Sequence, residues 1–217
     1  MRALIFANGD RNDGIMVRRA LEIAHEPTFI VAADGGAQVA RSFGLRVDVV
    51  VGDMDSLPHA EVERLITAGT EIVRHPPEKD ATDLELALLL VTERGADWVR
   101  IIGGIGDRID QTLANIYLLA LPILERRDVR LVAGAQEMRL LKPGEHRLDG
   151  TAGDTISLIP VGGAVEGIRT TNLYYPLKDE TLDFGPARGI SNVMENAQAQ
   201  VTFRTGSLLM VHTIGRA

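Results

Sequence analysis

Six short, mostly apolar runs, at 3–7, 29–33, 47–51, 71–74, 98–102 and 129–133, constrain this chain more than any other feature. Between them, stretches near 14–25, 36–43, 58–68, 82–94 and 111–125 carry helical spacing. A strand with one wet face alternates polar and apolar residues, whereas a strand covered on both faces is apolar along its length. Buried strands alternating with helices predict βαβ units and a parallel sheet. Right-handed crossovers then place every strand's carboxyl end on one edge, where open α/β sheets bind ligands. Leu84, Leu86, Ala87, Leu88 and Leu90 are apolar nearly all round their helix, so that helix is expected to be well buried.

After Lys142-Pro143-Gly144 the helical period stops. Short runs at 155–161, 164–168, 199–203 and 207–212 follow, punctuated by Gly153, Gly162-Gly163, Gly185-Pro186 and Gly206. That pattern predicts a small all-β domain. The expected division is an α/β domain over 1–143 and a β domain over 144–217.

Composition narrows the function. A net charge of -7 argues against a non-specific nucleic-acid binder, which needs a basic face. It is compatible with a small anionic substrate, because a bound metal ion reverses the sign of a site. With no cysteine, disulfides and thiolate metal sites are absent. The first residues, MRALIFANGDRN, turn polar too soon for a signal-peptide core, and no apolar run reaches membrane-spanning length. A soluble cytoplasmic protein is expected.

The chemistry-bearing residues cluster where strands should end. These clusters are Asn8-Gly9-Asp10, Asp34-Gly35-Gly36, Gly52-Asp53-Met54-Asp55-Ser56, Lys79-Asp80-Ala81-Thr82-Asp83, and Gly103-Gly104 with Gly106-Asp107-Arg108-Ile109-Asp110. An isolated Asp-x-Asp is more often a turn than a site, since Asp bonds to its own backbone in turns. Two carboxylates on one loop at a sheet edge also suit Mg²⁺, which takes oxygen ligands and shares them with substrate phosphates. Asp80 and Asp83 read equally as helix caps; Lys79 beside the same helix start adds an anion site, with Thr82 contributing a hydroxyl. Arg108 brings a phosphate fork and Asp110 an acceptor, or the N-cap of the helix that follows. His25, His59, His75, His146 and His212 lack ligand spacing and read as solvated or packed, and Trp98 as core. There is no P-loop and no serine or thiolate nucleophile motif. A metal-dependent phosphoryl-transfer enzyme, a phosphohydrolase and a nucleotide-binding module without turnover all remain open on these residues.

In order and spacing the clusters resemble the thiamine pyrophosphokinase family. The matching stretches are ADGGA at 33–37, VGDMDS at 51–56, KDATDLELAL at 79–88, GDRIDQTLANI at 106–116, RGISNV at 188–193 and VTFRTGSLLMV at 201–211. The resemblance implies a Rossmann-like nucleotide-binding domain followed by a β-sandwich domain, and a homodimer with the active site at the subunit interface. It implies transfer of pyrophosphate from ATP to thiamine with Mg²⁺. Carried over by position, Asp53, Asp55 and Asp83 are the implied metal ligands. Asp34 with Gly35 and Gly36 belongs to the nucleotide and metal pocket. Lys79, Thr82 and Arg108 contact ATP, and Asp110 accepts from the thiamine aminopyrimidine. Ser191 and Asn192 stand on the thiamine or interface side. The chain departs from the family at Gln111, usually His, and at Asp107, usually Gly. Its β domain lacks the Trp that some members stack on thiamine, which leaves Met210, Phe203 or a tyrosine to supply that apolar face.

Overall fold

The computed structural model describes residues 1–23 and 28–216, so His25 and the end of the first expected helix lie outside the described residues. The chain separates into two compact units, Met1–Gly134 and Ala135–Ala217.

The first unit alternates β1 (Arg2–Phe6), α1 (Ile15–Ile23), β2 (Thr28–Ala33), α2 (Gly36–Ser42), β3 (Val49–Gly52), α3 (His59–Thr67), β4 (Glu71–Arg74), α4 (Asp83–Glu93), β5 (Trp98–Ile102), α5 (Ile109–Tyr117) and β6 (Asp128–Ala133). These strands pair in parallel in the order β6-β5-β1-β2-β3-β4. β1 lies inside the sheet, and its Leu4, Ile5 and Phe6 are fully buried, as a strand covered on both faces requires. β4, at the edge, has exposed ends at Glu71 and Arg74. α4 buries Leu84, Ala87, Leu88 and Val91 and leaves Leu86, Leu89 and Leu90 partly covered. Trp98 is only partly buried at the margin of this core, with the Arg100 guanidinium stacked 4.1 Å from its ring centroid.

Three helix ends differ from expectation. α4 is capped by Thr82, whose hydroxyl accepts from the Glu85 N–H at 3.2 Å, and Asp80 lies outside the helix. α5 starts at Ile109, so Asp110 lies within its first turn, where a carboxylate meets the positive end of the helix dipole. It stops at Tyr117 and gives way to two 3₁₀ turns, 118–120 and 122–124. Pro122 is the cause: Leu121 before it is extended (ψ 128°), which the proline ring imposes on its predecessor.

The second unit holds β7 (Gln136–Leu141), β8 (Gly144–Asp149), β9 (Thr155–Pro160), β10 (Val165–Thr171), β11 (Lys178–Leu182), β12 (Asn192–Val193), β13 (Gln198–Phe203) and β14 (Leu208–Thr213). All pairing is antiparallel, in the orders β12-β9-β14-β7 and β11-β10-β13-β8. Both sets feed one core that includes Leu148, Ile156, Leu158, Ile168, Val201, Phe203, Leu208 and Met210. β7 pairs with β14 from Gln136↔Thr213 to Leu141↔Leu208, which assigns residues 135–141 to this unit, ahead of the change in pattern at Lys142-Pro143-Gly144. Among the described residues, no helix is long and apolar enough to cross a membrane.

Candidate active site

The strand order reverses at β1. β2, β3 and β4 follow on one side, and the chain then returns to place β5 on the other. Crevices at such a switch point are where open α/β sheets take ligands. The loops leaving β1 and β5 flank it, and a cavity of ≈ 560 Å³ opens there. Its walls are Asn8, Gly9 and Asp10 after β1, Asp34 after β2, Lys79, Thr82 and Asp83 before and at the start of α4, and Gly103, Gly104, Gly106, Asp107, Arg108, Gln111, Thr112 and Asn115 after β5, together with Ser56. The two flanking loops close on each other through backbone: Gly9 N–H donates to Gly103 O and Asp10 N–H to Ile105 O, both at 2.8 Å. A side chain on Gly9 would collide with the Gly103 and Ile105 carbonyls. Gly35 and Gly36 do not line the cavity. Their lack of side chains lets α2 press against Asn8 and the Phe6 carbonyl.

Carboxylate oxygens of Asp34, Asp53 and Asp83 lie within 4.8 Å of one another. Each comes from a different strand end or helix start, so the sheet brings together residues far apart in sequence. Three anions at this spacing repel by about 3 kcal/mol per pair at an effective dielectric of 20. The structure answers with Lys79, whose Nζ sits 3.1 Å from Asp53 Oδ2 and 2.9 Å from Asp83 Oδ1. Burial lowers the pKa of Lys79, but its contacts with the two carboxylates outweigh that and hold it above the usual lysine value. Asp53 is held below the usual carboxylate range by the Asp55 N–H at 3.1 Å and by Lys79. Asp34 is pushed up, first by burial and further by the charge of Asp83, against the pull of the Ser56 N–H at 3.1 Å. Asp34 and Met54 both have left-handed backbone, φ 43° and 68°, which non-glycine residues adopt at a cost.

The donor set suits a hard cation. It is all carboxylate oxygen, and Asp34, only 3% exposed, has an Oδ1 without a hydrogen-bond partner. Asp83 Oδ1 likewise has no aligned donor, although Lys79 Nζ lies beside it. Asp55 is not part of this convergence. Its side chain is exposed and accepts from Ser56 Oγ at 3.1 Å, while its backbone N–H holds Asp53. The Asp-x-Asp is thus a turn that delivers its first carboxylate, and the third carboxylate comes from β2.

Arg108 lines the cavity and pairs with Asp110, which does not, with Nη2 2.6 Å from Oδ2 and both side chains largely exposed. Each shifts the other: the carboxylate raises the Arg108 pKa, and the guanidinium, then the Gln111 N–H, lowers that of Asp110. Gln111 and Asp107 also line the cavity. Thr112 and Asn115, which the sequence reading gave no role, tie α5 to the glycine loop. Thr112 Oγ1 bonds Gly106 N–H and carbonyl at 3.1 Å, and Asn115 Nδ2 donates to Gly104 O at 2.8 Å.

In the second unit, Asn192 commits its amide to Tyr175, accepting from its N–H at 2.9 Å and donating to its carbonyl at 2.7 Å. Ser191 is exposed, with left-handed backbone (φ 59°). Met210 and Phe203 are core residues and offer no face to a ligand, which corrects their candidacy as stacking partners. Tyr174 and Tyr175 are 62% and 64% exposed and meet edge to face.

Two family models match in sequence order: "Thiamin pyrophosphokinase, catalytic domain" over residues 21–132, and "Thiamin pyrophosphokinase, vitamin B1 binding domain" over 145–210. The chain is 28% identical over 210 residues to thiamine pyrophosphokinase of Bacillus subtilis (strain 168), covering 96% of this chain and 97% of that one. A crystal structure of a Bacillus subtilis thiamine pyrophosphokinase superposes with a TM-score of 0.87 at 26% identity over 99% of both chains. That of Geobacillus thermodenitrificans gives 0.83 at 26% identity, over 98% of this chain and 97% of the other.

Proposed function

Because the chain belongs to the thiamin pyrophosphokinase family, we propose that it transfers a pyrophosphoryl group from ATP to the hydroxyl of thiamine, giving thiamine pyrophosphate and AMP. The observation that carries this reading is the convergence of Asp34, Asp53 and Asp83 around Lys79, with Asp34, Asp83 and Lys79 lining one cavity at the sheet's switch point. Phosphoryl-type transfer asks a protein mainly to position reactants and neutralise charge. A set of carboxylates with a lysine beside a glycine-lined crevice meets that demand.

Asp34, Asp53 and Asp83 are assigned as the residues that hold Mg²⁺, with Asp55 fixing Asp53 through its N–H. When bound, the cation supplies charge neutralisation at the phosphate oxygens. The α/β unit takes the nucleotide in Rossmann-like fashion across the loops after β1 and β5. Lys79, Thr82 and Arg108 face its phosphates, and Asp110 orients the thiamine aminopyrimidine. The antiparallel unit contributes to thiamine binding. Ser191 is free to contact the ligand, and Asn192 acts through Tyr175. A homodimer in the cytoplasm is the assigned state, and light scattering at working concentration should give twice the chain mass of 23.5 kDa.

The test is AMP formation from ATP and Mg²⁺ with and without thiamine. Thiamine-dependent AMP matched by thiamine pyrophosphate is expected. Free phosphate in its place would make the protein a phosphohydrolase, and unchanged ATP would make it a binding module.

A further inference from the structure

Lys79 does more at this site than a phosphate contact requires. Its ammonium touches two of the three converging carboxylates, with only 13% of its side chain exposed. It stands where a cation is needed, and the remaining acceptor, Asp34 Oδ1, is buried and unpartnered. We infer that Lys79 is the resident counter-ion of the carboxylate cluster: it holds Asp53 and Asp83 together when no divalent cation is bound, and it competes with the cation for them.

The inference rests on the assignment of Asp34, Asp53 and Asp83 as cation ligands. Without a positive charge at the centre, three carboxylates within 4.8 Å would repel and spread the loops that carry them. Lys79 prevents this from within the chain. It stands four residues before Asp83, at the end of the Pro76-Pro77-Glu78 segment, where its N–H donates to Pro77 O at 3.1 Å. That short, proline-stiffened approach fixes the point from which the ammonium reaches the cluster. Lys79 also lines the cavity, so an ammonium released from the carboxylates faces the space where an anionic substrate would lie. The same charge therefore has two uses. Its cost is that any divalent cation must displace it, which weakens cation binding in the absence of substrate.

The experiment is a Mn²⁺ titration, followed by electron paramagnetic resonance of the free ion, on the full chain without nucleotide. Wild type, Lys79→Met, Lys79→Gln, Lys79→Arg and Asp53→Asn are compared. Removing the ammonium should tighten Mn²⁺ binding about tenfold in Lys79→Met and Lys79→Gln, while Lys79→Arg stays near wild type. Melting temperature is the second readout. The neutral variants should melt lower than wild type without cation and recover in saturating Mn²⁺, because ligand binding returns the lost stability. Equal or weaker Mn²⁺ binding by the neutral variants, with Asp53→Asn still losing it, overturns the counter-ion role and leaves the cation site standing. A melting deficit that Mn²⁺ does not repair makes Lys79 a structural residue and also overturns it. Wild type that binds no Mn²⁺, or an Asp53→Asn variant that binds it equally well, removes the cation site itself and the inference with it.

Discussion

Asp53, Asp34 and Asp55 look alike in sequence but stand in three different environments. Asp53 is ionised and ligand-like, Asp34 is buried with an orphan oxygen, and Asp55 is exposed on its turn. Asp53→Asn is therefore expected to lower AMP formation at least about 100-fold, the scale of losing a charged group in a transfer site, with little change in melting temperature. Asp34→Asn should abolish Mn²⁺ binding yet leave the fold as stable or more so, because a buried like charge is removed; calorimetry with and without cation reads both effects. Asp55→Asn should cost less than about tenfold in turnover, since the backbone N–H that holds Asp53 survives the change. The sequence pointed to this loop, because two neighbouring carboxylates at a strand end repel. It placed Asp34 in the same pocket but grouped Asp55, not Asp34, with Asp53 and Asp83; the meeting of Asp34 with those two depends on a left-handed turn after β2 and a parallel register, neither written in a short motif.

At the scale of elements, the site stands on helix starts and loop closures. Thr82→Ala removes the cap of α4 and should cost about 1 kcal/mol, read by urea denaturation at saturating Mn²⁺ to separate stability from cation binding. Asn115→Leu leaves the Gly104 carbonyl without its buried donor and should raise KM for ATP more than it lowers kcat, because it loosens the wall of the cavity and leaves the carboxylates in place. Mostly apolar runs made the strands of the first unit legible. β8 and β11 were not legible, because each lies at a sheet edge and buries little: Leu148 in one and Leu182 in the other. β12, two residues long, gives no periodicity to read. α5 was expected to run too far, since its apolar spacing continues to Leu124 while Pro122 ends regular helix before it.

For the molecule as a whole, the second unit carries its own pH dependence. His212 is buried on β14, its Nε2 2.9 Å from Asp154 Oδ2 and its Nδ1 3.8 Å from Glu137 Oε1. Burial lowers its pKa, but the two carboxylates outweigh it and leave the value above 6.5. A histidine whose folded pKa is raised contributes stability that is complete below its unfolded pKa and is lost as pH rises through the folded one. Asp154, desolvated but bonded by the Gly215 and Thr151 N–H groups and by His212, is lowered, so its contribution is lost on the acid side as pH falls through its folded value. Melting temperature measured from about pH 5 to about pH 9 should therefore fall toward the alkaline end, and His212→Gln should flatten that slope while lowering the plateau. The unit's buried core was visible in its short apolar runs. The charged group beneath it was not, because Asp154, His212 and Glu137 are brought together by strand pairing between 137 and 213 and by no local spacing.

β1 also has a place in time. Of the strands described it is made before the rest, but one of its two neighbours, β5, begins 65 residues after β2 ends, from Ala33 to Trp98. At roughly 5–20 residues per second on a ribosome, this strand waits on the order of 3–13 s with one side unpaired. During that interval β2 and α2, pressed against it through Gly36, are its available shelter. Bulk introduced at Gly36 would then be felt first in the yield of nascent chains, before any folded protein exists to melt.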